Sequence, residues 1–125
     1  MTGWHLAQFN VARCLYPLED PRMAGFTDRL AEINRLGEAA PGFVWRLQGE
    51  GGTSSELQFT QDPMLIVNLS AWASIDALWD FSYRSEHKTL FAGRNGWFER
   101  LTPPTLVLWW IPAGSIPTAQ EGFVR

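Results

Sequence analysis

The sequence has little that would cross-link it or hold it in a membrane. Cys14 is the only cysteine, which excludes an internal disulfide and is typical of proteins in reducing compartments. No apolar run approaches the roughly 20 residues that span a bilayer, and residues 1–10 lack the basic start and apolar stretch of a secretion signal. These absences predict a cytoplasmic protein that makes no membrane contact.

The sequence also has little net charge and no cluster of basic residues. The 125 residues include 10 Lys and Arg against 13 Asp and Glu, for a net charge of −3, and the basic residues are scattered among acids. Nucleic-acid binding usually requires a basic face for the phosphates, so no nucleic-acid partner is expected. The apolar share of 46% and the seven Trp residues predict a single folded domain over residues 1–125.

Sequence motifs for nucleotides, acyl transfer and metals are missing. GEGG at 49–52 is not followed by the Gly-Lys-Ser/Thr of a P-loop, and TSSE lacks the Gly-x-Ser-x-Gly elbow of hydrolases. His5, Cys14 and His87 are too few and too dispersed for a metal site. We therefore expect no metal and no cofactor.

Alternating and helical patterns succeed one another along the chain. Residues 4–14 alternate as a strand, and Asp20 with Pro21 begins a helix as N-cap and first helical residue. The apolar side chains of that helix recur at helical spacing and end near Gly37: Met23, Phe26, Leu30, Ile33 and Leu36.

The rest of the chain adds two strands, a second helix and a last strand. Strands are predicted over residues 42–48 and 64–72, with 49–63 between them as a flap or a twisted ribbon. Ser74 caps a second helix that carries Ile75, Leu78 and Trp79 inward and breaks near residues 84–85. A further segment reaches residue 91, a turn follows at 93–96, a last strand covers 105–112, and a short helical turn starts at Thr118.

The resulting order, β-α-β-β-α-β, predicts an α+β ferredoxin-like fold, with two helices on one face of a four-stranded antiparallel sheet. Strand 105–112 is apolar on both faces, with Val107, Trp109 and Ile111 opposite the remaining large side chains. Two helices cover one face only, and each large apolar side chain left in water forfeits about 1.5–3 kcal/mol. A homodimer with sheet packed on sheet is the simplest remedy; alternatively, residues 49–63 and the C-terminal tail fold over that face.

Polar side chains interrupt these apolar strands. Because buried polar groups need partners, such residues either line a pocket or join the sheet faces of a dimer: Gln8, Asn10, Arg46, Gln48, Asn68 and Ser70. Alternation groups them in pairs without showing that the pairs share a face. We assign a pocket role to Asn10 and Asn68, and Arg46 either binds ligand or pairs with an acid such as Glu99.

Seven stretches together resemble a known family: LAQFNVAR, DPRMAGF, PGFVWRLQ, NLSAW, YRSEH, WFER and LVLWWIPAG. They are similar to an uncharacterised domain-of-unknown-function family of the dimeric α+β barrel superfamily, which also contains antibiotic-biosynthesis monooxygenases and haem-degrading monooxygenases. The resemblance covers almost the whole chain. Resemblance to the enzymes themselves is architectural, so the function it implies rests on fold analogy.

The resemblance implies a homodimer with a small-molecule site between sheet and helices. Cofactor-free members of the superfamily orient an aromatic or polyketide-like substrate with Asn, Trp, Tyr and His side chains. Haem-degrading members use a strand-one Asn, a strand-three Trp and a helical His. Asn10 and Trp72 stand in the matching neighbourhoods, but Phe81 falls where the haem ligand is expected, which argues against haem unless His87 serves from the following turn.

The candidate catalytic residues are His87, Tyr83 and Asn10. An imidazole titrates near neutral pH, Tyr83 precedes it by one helical turn, and Arg84 could bind a carboxylate or enolate. Trp72 and Trp79 would clamp an aromatic ring. The competing interpretations are a solvated His87 and an interfacial Tyr83–Arg84 pair.

These residues predict a small-molecule enzyme that resembles cofactor-independent monooxygenases, or a related isomerase or cyclase. The alternative is a dimeric module that binds a small aromatic ligand, or serves a structural role, without catalysis.

Overall fold

The computed structural model describes residues 3–48, 60–84, 97–99 and 106–124. In those ranges the chain forms four strands, β1 (Trp4–Arg13), β2 (Phe43–Arg46), β3 (Leu65–Trp72) and β4 (Leu106–Pro112). The helices are α1 (Ala24–Ala39), α2 (Ile75–Arg84) and α3 (Ala119–Val124). The sheet has the order β2-β3-β1-β4 with every pair antiparallel, which confirms the ferredoxin-like prediction. No described helix is long and apolar enough to cross a bilayer.

Side-chain caps begin the helical segments, and for α1 the cap belongs to the 3₁₀ turn that precedes it. The Asp20 carboxylate accepts the Arg22 backbone N–H at 2.8 Å, and a 3₁₀ turn over Pro21–Met23 leads into α1. Ser74 Oγ accepts the Ala77 N–H at 3.1 Å. Thr118 and Glu121 form a reciprocal capping box, with bonds of 3.0 and 3.2 Å between side chain and backbone. The three predicted helix starts are therefore confirmed.

The two faces of the sheet follow from its register. Gln8 pairs with Ser70, and Asn10 pairs with Asn68 across β1 and β3. We call the face that carries these residues the helical face, because Ile66 and Trp72 on the same face of β3 pack against α1 and α2. Residues one position away along each strand point to the opposite side, which we call the apolar face.

The apolar face is covered in part by the same chain. Its core contains side chains from every strand and from α3: Ala7, Phe9, Trp45, Val67, Leu69, Ala71, Trp109, Ile111 and Ala119. Phe123 meets Phe9 edge to face at 5.1 Å between ring centroids. A Cβ added at Gly122 would overlap the Phe9 ring, so only glycine lets α3 lie this close to β1. Of the two ways to cover this face, the C-terminal tail is thus realised within one chain.

The helical face carries the second core. Met23, Phe26 and Ile33 of the predicted helical stripe are buried against Cys14, and burial raises the pKa of the Cys14 thiol. The remaining members of that stripe, Leu30 and Leu36, are partly buried in the same cluster. The helix ends at Ala39, between Gly37 and Pro41–Gly42, the residues predicted to end it.

The orientation of α2 differs from the prediction. Ile75 and Trp79 are 53% and 54% exposed, so the prediction that both face inward is wrong. The inward side is taken by Ala77 and Phe81. Ala77 lies against Gly42, whose φ of +83° also favours glycine, and the Phe81 ring lies against Gly37 of α1. Because these glycines have no side chain, α2 packs closely through Ala77 and Phe81. Trp79, on the other side of the helix, therefore faces outward. Predicted features at residues 49–59 and 85–96 lie outside the described residues.

Arg13 joins three chain segments at one end of the sheet. Its Nε lies 2.7 Å from Asp62 Oδ2, and its Nη1 contacts Glu99 Oε2. Glu99 therefore pairs with Arg13, and the alternative in which Arg46 pairs with an acid is confirmed with a different carboxylate. Arg46 instead forms an ion pair with Glu38 of α1, with 3.3 Å between Nε and Oε2.

Candidate functional site

The polar residues of the strands gather on the helical face. Gln8 lies opposite Ser70, Asn10 lies opposite Asn68, and Arg46 lies opposite Ser70 on its other side. The sequence left open whether the polar pairs share a face. The register brings these five side chains together across three adjacent strands.

Four side chains on this face form one row of hydrogen bonds. Trp72 Nε1–H donates to Ser70 Oγ at 2.9 Å, and Ser70 O–H donates to Gln8 Oε1 at 3.1 Å. Gln8 Nε2–H then donates to Asn10 Oδ1 at 2.7 Å. We call Trp72, Ser70, Gln8 and Asn10 the polar row. Ser70 and Gln8 are each 8% exposed and Trp72 is 2% exposed, so the row runs from a buried indole towards a half-buried amide.

The outer end of the polar row carries unused donors. The Asn10 carbonyl oxygen is occupied by Gln8, whereas its Nδ2 group donates to no described residue. Asn68, its neighbour in register, is exposed. On the other side of Asn10 lies Leu106, which is 51% exposed. The site thus offers amide N–H donors beside an exposed apolar side chain.

Trp72 is held from both sides rather than left open to a ligand. Its indole stacks on Phe81 at 5.3 Å between centroids with 25° between planes, and it meets Phe43 edge to face at 5.5 Å. The position at which haem-degrading relatives of the superfamily are expected to supply a His is therefore filled by the Phe81 ring. A phenyl ring offers no donor atom to iron, so this position does not fit a haem ligand. The described residues also contain no cluster of metal-ligating side chains.

Arg46 lies at the side of the polar row, where β2 joins β3. Its side chain is 13% exposed and is held between Glu38 and Gln48. The 3.3 Å contact with Glu38 lacks the geometry of a hydrogen bond at Nε, so the pair is held by charge. The strand register positions Arg46 beside Ser70.

Trp79 lies on the outer side of α2. Together with Ile75, Asp76 and Asp80 it lines an open groove of about 590 Å³, which does not include the polar row. Tyr83 and Arg84 occupy the last turn of α2, but their side chains lie outside what the structure describes, as does His87 altogether. Their proposed roles remain predictions.

The polar row contains no titratable group. Charged groups lie beside it, in the Arg46–Glu38 pair, and at two turns away from it, where carboxylates are stabilised by guanidinium groups. The pKa of Asp20 is lowered to about 2 by the hydrogen bond from Arg22 and the backbone N–H of the same residue. Hydrogen bonds from Arg13 and from the Met64 N–H lower the pKa of Asp62. The row is therefore neutral and independent of pH, whereas the turns depend on pH.

Sequence reasoning assigned a pocket role to Asn10 and Asn68, and it left Gln8 and Ser70 as residues of either a pocket or a dimer interface. The signal was present, since a polar residue in an otherwise apolar strand needs a partner. What the sequence lacked was the register, because a shift by one residue would place these side chains on opposite faces.

Comparison with known proteins shows which family the chain belongs to. Residues 5–125 match the model of a domain of unknown function, DUF3291. The chain belongs to this family. No curated protein matches the sequence.

Several solved structures share the fold of DUF3291 at low sequence identity. NE2512 from Nitrosomonas europaea, a protein of unknown function, has 17% identity and a TM-score of 0.56, covering 94% of this chain and 99% of its own. SnoaB from Streptomyces nogalater, described as a cofactor-independent oxygenase, has 14% identity and a TM-score of 0.57 over 90% and 95%. A candidate antibiotic biosynthesis monooxygenase from Chloroflexus aurantiacus has 15% identity and a TM-score of 0.57 over 90% and 97%. This DUF3291 chain therefore has the fold of the antibiotic-biosynthesis-monooxygenase-like proteins.

Proposed function

We propose that this protein is a small-molecule enzyme of the cofactor-independent monooxygenase kind, acting on an aromatic or polyketide-like substrate. The observation that carries the proposal is the polar row, which ends on the helical face in Asn10 N–H donors that no described residue accepts. The fold shared with a cofactor-independent oxygenase supports the same reaction class by analogy.

The chemistry assigned to Asn10 is stabilisation of an oxyanion. When a base removes a proton from an enolisable ketone or a phenol, negative charge develops on oxygen, and preorganised N–H donors lower that barrier. His87 or Tyr83 would take the proton, and Arg84 would hold a substrate carboxylate. The anion then reduces O₂: a ring methylene and one O₂ give a carbonyl and one water, so the substrate supplies all the electrons.

Oxygen uptake with a panel of quinols and enolisable ketones tests this proposal. Loss of one oxyanion donor typically lowers kcat about 10²–10³-fold, which is the effect expected for Asn10→Ala on an accepted substrate. A similar or larger loss is expected for His87→Ala if it is the base. Asn34→Ala on α1 is the matched control and should retain the parental rate. Equal rates in Asn10→Ala and the parent, or no oxygen uptake by the parent on any substrate, would refute the proposal.

A second candidate function is binding without turnover. It is favoured by the neutrality of the polar row, since none of its four side chains moves a proton near neutral pH. Mass spectrometry of a bound aromatic ligand before and after incubation in air separates the two functions. An unchanged mass supports the binding module, and a gain of 14 mass units, the methylene-to-carbonyl change, supports the enzyme.

We also propose that the protein is a homodimer. The sequence suggests a dimer because one sheet face lacks cover, but α3 already covers part of that apolar face. The dimer is therefore proposed from a different surface. Four of the exposed apolar side chains form a group on the helical face along β4 and the adjoining end of β1: Trp4, Leu106, Leu108 and Trp110. Sedimentation equilibrium should report a dimer that Leu108→Lys weakens and Ile116→Lys, an exposed control, does not. A monomeric parent at micromolar concentration would refute the dimer.

A further inference from the structure

The direction of the hydrogen bonds in the polar row is decided at its buried end. An indole N–H can only donate, so Ser70 Oγ must accept from Trp72 at 2.9 Å. The Ser70 hydroxyl then has one proton left to give. Gln8 Oε1 lies 3.1 Å away and takes it. Both of these side chains are buried, so water does not substitute easily for either bond.

The opposite direction of these hydrogen bonds would leave the buried Ser70 hydroxyl proton without an acceptor in the row. With the Gln8 amide turned over, its Nε2 would donate to Ser70 Oγ, and the Ser70 hydroxyl proton would have no acceptor in the row. A buried donor without a partner costs about 1–3 kcal/mol. The direction that runs from Trp72 outward satisfies every polar hydrogen at its inner end and is therefore preferred.

This direction has a consequence at the outer end. Gln8 Nε2 donates to Asn10 Oδ1 at 2.7 Å, which occupies the Asn10 carbonyl and turns both Nδ2 hydrogens away from the row. Asn10 then presents only donors to whatever occupies the helical face beside it.

We infer that Trp72, Ser70 and Gln8 orient the Asn10 amide so that this site binds ligands through an acceptor oxygen, a carbonyl, enolate or phenolate, and discriminates against ligands that offer only a donor. Trp72 is a positioning residue here, because its ring is enclosed by Phe43 and Phe81. The inference rests on the proposed function only in placing a flat ligand at Asn10, and it requires no turnover.

Three bicyclic probes of nearly the same shape test the selectivity. 1-Indanone carries only an acceptor, indole carries only a donor, and indane carries neither. Binding is followed by ligand-observed NMR in the parent protein at pH 8. We expect 1-indanone to bind about tenfold more tightly than indole, as one hydrogen bond gained or lost is worth about 1 kcal/mol or slightly more, with indane between them.

Variants of Gln8 test the orientation mechanism. In Gln8→Glu the carboxylate can only accept, so it takes hydrogen bonds from Ser70 and from Asn10 Nδ2, and Asn10 turns its oxygen outward. The preference should then reverse in favour of indole. Gln8→Met removes both bonds without burying a charge, so it covers the case in which Gln8→Glu does not fold, and it should bring the 1-indanone-to-indole ratio close to one. Asn34→Asp is a control that should leave the ratio unchanged.

A second readout needs no ligand. In the ¹⁵N-labelled protein both Asn10 Nδ2 hydrogens should exchange rapidly with solvent, because neither donates to a described residue, whereas a Gln8 Nε2 hydrogen should be protected. Protection of one Asn10 hydrogen would show the opposite direction and overturn the inference. It would also be overturned by equal affinities for 1-indanone and indole in the parent, or by no binding of any probe. A protein with the expected selectivity but no oxygen uptake would refute the proposed enzyme and leave this inference standing.

Discussion

The two faces of this sheet solve the problem of burial in different ways. On the apolar face, Ala7, Leu69 and Ala71 are fully buried and α3 packs over Phe9. On the helical face, polar side chains occur between the apolar ones, and the inner members are buried only because they bond to one another. The first face is stabilised by non-directional contact, and the second by its own apolar core together with bonds that require particular atoms at particular distances.

This difference separates stability from function. An apolar core tolerates other apolar side chains of similar volume, so it says little about what a protein does. A directed row of hydrogen bonds that ends at a half-buried amide specifies which groups remain available to a ligand. The helical face is therefore where the proposed chemistry belongs, although it also carries the apolar core of Met23, Phe26 and Ile33.

Neighbouring residues of β3 provide the sharpest test of this division. Leu69 is fully buried on the apolar face, whereas Asn68 is exposed on the helical face. Leu69→Ala should lower the free energy of unfolding by about 2–5 kcal/mol, and Asn68→Ala should change it by less than about 0.5 kcal/mol. Urea denaturation measures both. Similar effects of the two substitutions would contradict the assignment of the faces.

The contact of α3 with the sheet can be broken at Gly122. A side chain there overlaps Phe9, so Gly122→Val should either displace α3 or cost about 1–3 kcal/mol through overpacking. Thermal unfolding and near-ultraviolet circular dichroism of the Trp residues detect these outcomes. Gly3→Val is the control, because no atom lies near its Cβ position, and a Gly122→Val protein as stable as this control would mean that α3 does not pack as described.

The polar row can be broken at Ser70. Ser70→Ala leaves the Trp72 N–H without its acceptor and Gln8 Oε1 without its donor, so the free energy of unfolding should fall by about 1–3 kcal/mol. Ser115→Ala, at an exposed position, should have almost no effect. Chemical denaturation at pH 7 and at pH 5 should give the same loss for Ser70→Ala, since the row has no titratable member.

The smallest effect is expected at the charged turn before α1, and it should depend on pH. The folded-state pKa of Asp20 is about 2, below its ordinary value of 3.8, so its stabilising contribution is present above pH 4 and is lost as the pH falls from about 4 to 2. Asp20→Asn should lower the melting temperature slightly at pH 7, and this difference should shrink towards pH 2. A difference that stayed constant with pH would show that the Asp20 charge is not responsible.

Much of the fold could be predicted from local patterns. The alternation in residues 4–14 and 64–72, the Asp20–Pro21 start of α1 and the Ser74 cap are each determined by a few neighbouring residues. The strand predicted over residues 42–48 is longer than β2 (Phe43–Arg46), although the Leu47 N–H still donates to the Leu69 carbonyl at 2.8 Å.

The outward orientation of Trp79 could not be predicted in the same way. Helical spacing is compatible with either side of α2 facing the sheet. The choice depends on Gly37 and Gly42, which leave room for Phe81 and Ala77, and these glycines belong to other parts of the chain. A residue pattern within α2 contains no information about them.

The sequence by itself determined the order of strands and helices, the presence of a second apolar face and the residues at which polar groups enter the strands, because propensity, capping and alternation act between near neighbours. Only the tertiary structure decided that Gln8, Asn10, Ser70 and Trp72 share one row, and that the C-terminal helix covers the opposite face. Both depend on strand register and on close approach between distant segments. Those are set by the packing of the whole sheet.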